Sequence, residues 1–535
     1  MGKIKVIGRV AFLSFGVVVT MLQGWAVAST CGGGQVRFSA SSNQLYVAGP
    51  AVCTLSEIKT IYPNAPLELV DPAKKIWHLR TNLVVERGAS LVLRGAAIGG
   101  DVNELRLQSN NSSAAGSFVY LRADWGNVSI SGTKITSWDA AAHGPDVEYA
   151  AYGRAYIHVR SRLDTDGVTA HESRMDIVNS DVSYLGYPAD ESYGLTWKVS
   201  GSAPGLYDKV NVLGDIKDSK VHHNYFGIYT YGAYGMVITR NEVHSNVQYG
   251  VDPHDDSDSL TIAHNNVHHN GDHGVICSQR CDHLTISNNE SHHNAGVGIM
   301  VHRNANDSLL ENNALHDNGD AGIAIFDSHR DTVRGNNSYN NLYGLRFSEG
   351  SSHNIIENNN LSNNASHGIL FYKGTEAPTV NNGRPSRNRL TGNTINNNTG
   401  YAVQLREGDN NVFGDNKLLD NKGGGIQLYS AKPTGNQFTG NELRHNTSYG
   451  FDITDAPATL INNNTIDRHP NGVYLLSTTG ANVKNNKISN SVTAGVTLDK
   501  SANNSVTGNT FTANAKAVIQ QNGSSGNTIN GNNVN

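Results

Sequence analysis

The feature that most constrains this chain is a repeat of about 24 residues, in which a small residue is followed by a short apolar strand. It runs through Gly227-Ile228, Gly250-Val251, Gly274-Val275, Gly298-Ile299, Gly322-Ile323, Gly344-Leu345 and Gly368-Ile369. It resumes at Ala402-Val403 and continues through Gly425-Ile426, Gly450-Phe451, Gly472-Val473, Gly495-Val496 and Ala517-Val518. Most steps are 22 to 25 residues, and the long step from 368 to 402 contains Gly374-Thr375-Glu376-Ala377-Pro378, which reads as a loop insertion. A second short strand recurs in each unit, as in Leu260-Thr261-Ile262 and Leu284-Thr285-Ile286, and Asn pairs follow at Asn265-Asn266, Asn288-Asn289 and Asn312-Asn313. Asn tolerates the left-handed backbone that tight corners need. No unit of this size can bury its apolar face alone, so the units must stack. The period predicts an all-β, right-handed parallel β-helix of about 22–25 residues per coil. Leucine-rich spacing is missing, propeller blades need about 40 residues, and the calcium-binding nonapeptide does not occur in tandem.

Composition agrees with a long, thin core. Only 38% of residues are hydrophobic and 16% are charged, with 56 glycines. A net charge of −5 gives no basic field for nucleic acid. Lys3 and Lys5, the apolar run from Val6 to Leu22 and the small-x-small site Ala26-Val27-Ala28 predict a cleaved signal peptide over 1–28. No later stretch is long and apolar enough to span a membrane. The expected division is a cap with irregular early coils over 29–190, catalytic coils over 191–400 and C-terminal coils over 401–535. Ser90-Leu91-Val92-Leu93, Val128-Ser129-Ile130-Ser131 and Met175-Asp176-Ile177-Val178 read as early coil strands. Export permits disulfides. Of the three pairings that four cysteines allow, Cys31–Cys53 is favoured, while Cys277–Cys281 stays open. A zinc site is disfavoured, because no second Cys pair faces them.

Histidine clusters: 13 of 22 fall between residues 222 and 316. The pairs His222-His223, His268-His269 and His292-His293 recur at one repeat position just before a corner and read as turn residues. A metal array is the sharper alternative, weakened because adjacent strand residues point to opposite faces. One unit departs from the pattern. Where other coils are apolar, Tyr249-Gly250-Val251-Asp252-Pro253-His254-Asp255-Asp256 is densely polar and contains a proline that cannot donate to a sheet. A repeat that breaks its own rule marks a candidate site. Period-2 alternation puts Asp252 and His254 on one face. Tyr229 and Tyr231 share their phases one coil earlier, His302 shares the phase of His254, Arg303 follows it, and Arg346 shares the phase of Asp252. Arg280 lies one coil on, six residues past Gly274. The set describes a shallow groove suited to a linear acidic sugar polymer. A structural calcium on Asp255, Asp256 and Asp258 is disfavoured for want of an EF-hand pattern, and no metal or other cofactor is expected.

The run Asp252-Pro253-His254-Asp255, with Tyr249-Gly250 before it and Arg280 one coil later, resembles the periplasmic alginate (mannuronan) C5-epimerase family. The stretch from about Asp215 to Arg280 resembles it almost continuously. That resemblance implies His254 as the base that removes the C5 proton, with Asp252 and Asp255 orienting it. It implies Arg280 as the neutraliser of the C6 carboxylate and Tyr249, or a water it holds, as the opposite-face proton donor. It also implies Lys217 as a substrate contact, a polymannuronate substrate, a periplasmic location and work beside an alginate secretion complex. Where the extracellular branch of these enzymes has an Asp on the following coil, this chain has Ser278. Two rivals remain open: a lyase, which starts with the same proton abstraction but expels the O4 leaving group, and a non-catalytic polysaccharide-binding β-helix.

Overall fold

Each coil lays down three short strands, and the corners between them are set by residues with left-handed backbone. In the coil that carries the anomalous motif the strands are Val251–His254, Thr261–Ala263 and Asn266–His268. Arg240, His264 and Asn288 hold the equivalent corner on successive coils with φ of 55°, 57° and 54°. The computed structural model describes residues 29–114, 117–375 and 381–535. The expected signal segment over 1–28 and part of the loop insertion lie outside the described residues.

Equivalent strands pair in parallel from coil to coil, which builds three long parallel sheets. The apolar residue of each repeat stacks on its equivalent: Ile228 on Val251, Val251 on Val275, Val275 on Ile299, Ile299 on Ile323 and Ile323 on Leu345. These residues are buried and form one continuous core. The small residue opening each unit has a steric reason. A Cβ at Gly250 would meet the carbonyl oxygen of Gly274 at 2.6 Å.

Buried asparagines tie the corners together. In one ladder Asn241, Asn265, Asn289, Asn313 and Asn336 each donate Nδ2 to the Oδ1 of the next at 2.9–3.0 Å. Each Nδ2 also donates to a backbone carbonyl, as from Asn289 to Ile262 at 2.8 Å. These amides would be costly to bury unpaired. The ladders cross the long step without a break, through Asn354 to Asn388, Asn359 to Asn393 and Asn364 to Asn398.

The N-terminal part is less regular but uses the same stacking. Strands Ser90–Arg94, Asn127–Ser131 and Arg174–Val178 pair in parallel. Two antiparallel pairs, Val36–Ser39 with Gln44–Ala48 and Leu67–Asp71 with Ile76–Leu79, precede them or flank the first coils. The single α-helix among the described residues, Leu55–Ile61, starts at a Thr54/Glu57 capping box and buries Leu55 and Ile58. Disulfides join Cys31 to Cys53 and Cys277 to Cys281. No helix of the described residues is long and apolar enough to cross a membrane.

Candidate active site

The site lies on the sheet that contains Val251–His254. Register there puts Tyr229 beside Asp252 and Tyr231 beside His254, with Lys198 beside Tyr231 one coil further back. On the following coil the regular pairing stops after Val251 and Val275. Pro253 has no N–H to give, and only its carbonyl is used, accepting from the Ser278 N–H at 2.9 Å. Coil stacking carries the phase onward, so His302 lies at the position of His254 and Arg346 at that of Asp252. A cavity of about 600 Å³ opens here, with Asp252 and His254 on its floor and Tyr193, Tyr229, Tyr249 and Arg303 among its walls.

The two polar floor residues are tuned against each other. Asp252 is 1% exposed, and burial pushes its carboxyl up to about 7, against the opposing pull of His254 and of a hydrogen bond from Ser278. That bond runs from Ser278 Oγ to Asp252 Oδ1 at 2.8 Å. His254 Nδ1 lies 2.6 Å from Asp255 Oδ2. Burial alone would depress the imidazole, but the neighbouring Asp255 and Asp252 carboxylates more than offset that, and its pKa lies above the ordinary histidine value; Arg280 acts against the rise. Asp255 and Asp256 both have left-handed backbone, with φ of 31° and 55°. This turn sends the Asp255 side chain back against the imidazole, although an ideal strand would point it away.

Tyrosines ring the base. Tyr231 stacks on His254 with centroids 5.9 Å apart and an interplanar angle of 11°, and the Tyr229 ring is 5.7 Å from it. Burial and Asp252 hold the Tyr229 hydroxyl far above its usual range. Burial, Asp272 and Asp252 push Tyr249 up to about 12. Tyr249 stacks against His273 at 5.5 Å.

Of the residues singled out in the sequence, Tyr229, Tyr249, Asp252, His254, His302 and Arg303 line the cavity, and Tyr231 flanks the base. Arg280 is linked to the base through Asp255. It sits behind His254, paired with Asp255 and, at 3.1 Å, with Asp256, and is not part of the cavity wall. It lies in the turn after strand Val275–Cys277 with left-handed backbone, φ 48°, and its side chain reaches the preceding coil. Arg346 is enclosed by Asp320 and the rings of Phe326, Tyr343 and Tyr372, so it orders the wall residue Tyr372 without lining the cavity itself. Lys217 is set apart from the strand of the base. It lies on strand Asp215–Lys217 of a different sheet, 3.0 Å from Asp215, because each coil turns a corner between that strand and the groove.

Sequence reasoning missed Ser278 as the hydrogen-bond donor to Asp252, and Tyr193, His273, Glu349 and Tyr372 as wall residues. Tyr372 sits at the start of the loop insertion, and an insertion adjoining the groove was the available signal. The carboxylates considered for calcium carry protein partners: Asp255 and Asp256 hold Arg280, and Asp258 accepts from the Asp282 N–H at 2.7 Å.

Comparison with known proteins follows the same lines. The family described as right handed beta helix region matches residues 164–304, 254–388 and 382–534. A mannuronan C5-epimerase of Pseudomonas aeruginosa is 28% identical over 221 residues, covering 41% of this chain and 36% of that protein. Mannuronan C5-epimerase AlgG of Azotobacter vinelandii is 27% identical over 255 residues, covering 46% of this chain and 44% of that one. The chain therefore aligns with less than half the length of these curated relatives. Among solved structures, the periplasmic alginate epimerase AlgG superposes with a TM-score of 0.60 at 20% identity, covering 70% of this chain and 84% of that one, which is a likeness of fold.

Proposed function

We propose a function for a chain that belongs to the right-handed β-helix family: it is an isomerase that inverts C5 of β-D-mannuronate residues within polymeric alginate, giving α-L-guluronate. The observation that carries this reading is the setting of His254, which faces a groove with Asp255 behind it, buried Asp252 beside it and protonated tyrosines around it. The mannuronan C5-epimerases that the chain resembles support it.

A C–H next to a carboxylate is a weak acid, because its removal places a second negative charge on the same group. A base with a pKa near neutrality suits the step. The Asp255 carboxylate 2.6 Å from Nδ1 favours, through its charge, the tautomer that carries the proton there and leaves the Nε2 lone pair for the substrate. Neutral His254 takes the C5 proton, and the electron pair delocalises into the C6 carboxylate. Asp252, with its carboxyl near 7, carries a proton for part of the time and so repels the incoming uronate less than an ionised acid would. Tyr249 keeps its hydroxyl proton at neutral pH and returns one to C5 from the other face, directly or through a water. Solvent then restores the proton of Tyr249 and removes that of His254. No bond to O4 breaks.

The groove suits an acidic chain. Lys198 is 4.9 Å over the Tyr231 ring on one side of His254, and Arg303 lies on the other. We place the enzyme in the periplasm, after removal of residues 1–28, at work beside a secretion assembly for the polymer. The signal-like N-terminus and two disulfides support the location. The catalytic residues named need no metal.

Proton NMR of polymannuronate incubated with the purified mature protein tests the proposal. New guluronate anomeric signals without chain cleavage are expected, and they should survive a chelator. Unsaturated sugar signals would make the protein a lyase, and an unchanged polymer would remove the activity.

A further inference from the structure

The histidine pairs set aside as turn residues form a continuous strip along one corner of the solenoid, outside the cavity described above. His222, His244, His268, His292 and His316 occupy the same position on five successive coils, with neighbouring rings stacked 4.9–5.0 Å apart. On three of these coils the next residue is also a histidine, and its backbone is left-handed: His223, His269 and His293 have φ of 56°, 54° and 53°. Adjacent residues on a regular strand point to opposite faces. At this corner the left-handed residue swings its ring back, and the two Nδ1 atoms of each pair meet at 2.7–2.8 Å. The sequence-based objection to a metal array therefore fails here for a local backbone reason.

The outer nitrogens are held in a consistent way. His292 Nε2 lies 3.0 Å from Asn266 Oδ1, His316 Nε2 lies 3.2 Å from Glu290 Oε1, and His222 Nε2 lies 3.2 Å from Asp181 Oδ1. Each partner is an acceptor on the preceding coil, so Nε2 donates; the Nδ1 atoms of His222 and His292 then meet their neighbouring histidines, and Nδ1 of His316, which donates to the Asp317 carboxylate, gives up its proton on binding a cation. A histidine whose far nitrogen donates to a carboxylate or amide oxygen is the usual metal-ligand arrangement. One ligand atom of each of His292, His293 and His316 lies within 4.8 Å of the others, the one such group among the described residues. Asp317, with Oδ2 2.7 Å from His316 Nδ1, adds a carboxylate at the same corner.

We propose that His292, His293 and His316 bind a divalent first-row transition-metal cation of the copper(II) or nickel(II) class. Nitrogens 2.8 Å apart and bonded at about 2.0 Å subtend close to a right angle at the ion. That suits adjacent positions of a tetragonal or octahedral centre better than the wider tetrahedral angle of zinc, and copper(II) also heads the divalent affinity order. The site is separate from the proposed epimerase chemistry and does not depend on it.

The test is titration of untagged mature protein with copper(II) and nickel(II) chloride by calorimetry, with electron paramagnetic resonance of the copper form. Nitrogen hyperfine structure from at least two imidazoles is expected. His293→Asn, which keeps a residue that tolerates the left-handed corner, should weaken binding by about tenfold or more without lowering the melting temperature. His269→Asn, one coil earlier, should leave the tightest site in place. Absence of binding to the wild type, full binding by His293→Asn, or selective loss in His269→Asn would each overturn the assignment.

Discussion

His254 Nδ1 lies 2.6 Å from Asp255 Oδ2, and the same Asp255 carboxylate is held from behind by Arg280. The base is thus the front member of a three-residue charge chain, and the pH dependence of turnover should report each member with its own sign.

Asp255 raises the pKa of His254. Replacing it with Asn removes that charge, so His254 should lose its proton at lower pH. Activity requires the neutral imidazole, so the acid limb of kcat/KM in Asp255→Asn is expected to move to lower pH than in wild type, with a lower plateau because the tautomer is less well fixed. A pH–rate profile of both proteins checks this, and an unmoved limb would dissolve the coupling.

Arg280 acts in the opposite sense, since it lowers the pKa of His254. In Arg280→Ala the Asp255 and Asp256 carboxylates lose their cation, and the acid limb should shift upward. Turnover should fall as well, because Asp255 loses the guanidinium that holds it against His254. Arg280→Lys should restore the limb more than the rate. The disulfide between Cys277 and Cys281 brackets the loop that carries Arg280, so circular dichroism should show an intact fold.

His254→Ala is expected to lower turnover by about 10²–10⁴-fold or to abolish it, with an unchanged melting temperature. Its side chain faces the groove and contributes nothing to the apolar core. Residual activity near the wild-type level, measured by the guluronate NMR signal, would remove it as the base.

One rung of the corner ladders is an acid. Asp331 occupies a ladder position between Ser308 and Asn354, accepting from the Ser308 N–H at 2.9 Å. Burial holds its carboxyl well above the usual range. A raised folded-state pKa means that the native protein binds this proton more tightly than the unfolded chain, so stability is lost as pH rises past the ordinary Asp value of about 3.9. Asp331→Asn should therefore raise the melting temperature at pH 7, by roughly 1–3 °C, and the gain should vanish as pH is lowered to about 3–4. An equal gain at both pH values would deny the titration.

The solenoid was legible because its rule is periodic. The small residue and the apolar residue after it recur, and both have a packing reason in every coil. Relative phase was legible too: Tyr229 with Asp252 and Tyr231 with His254 follow from counting along each strand. Counting fails where the backbone leaves the strand. Asp255, Arg280 and His293 all have left-handed backbone, and their side chains point where no period-2 argument would send them. The placement of Lys217 on another sheet was illegible for a related reason, since closeness along the chain carries no information once a corner lies between a residue and the groove. Ser278 was noticed only for the Asp it replaces; its bond to Asp252 needed coordinates.

The asparagine ladders run unbroken across a step of 34 residues, although their usual step is 22–25. The extra length leaves the spine where Tyr372, Gly374 and Thr375 form part of the cavity wall. Spine and rim are thus separable parts of the molecule. The spine behaves as a rack of equal slots, and a slot facing the groove can receive a longer or differently charged loop while its neighbours keep their registration. New polymer preferences can be acquired one slot at a time, without renegotiating the fold that presents them.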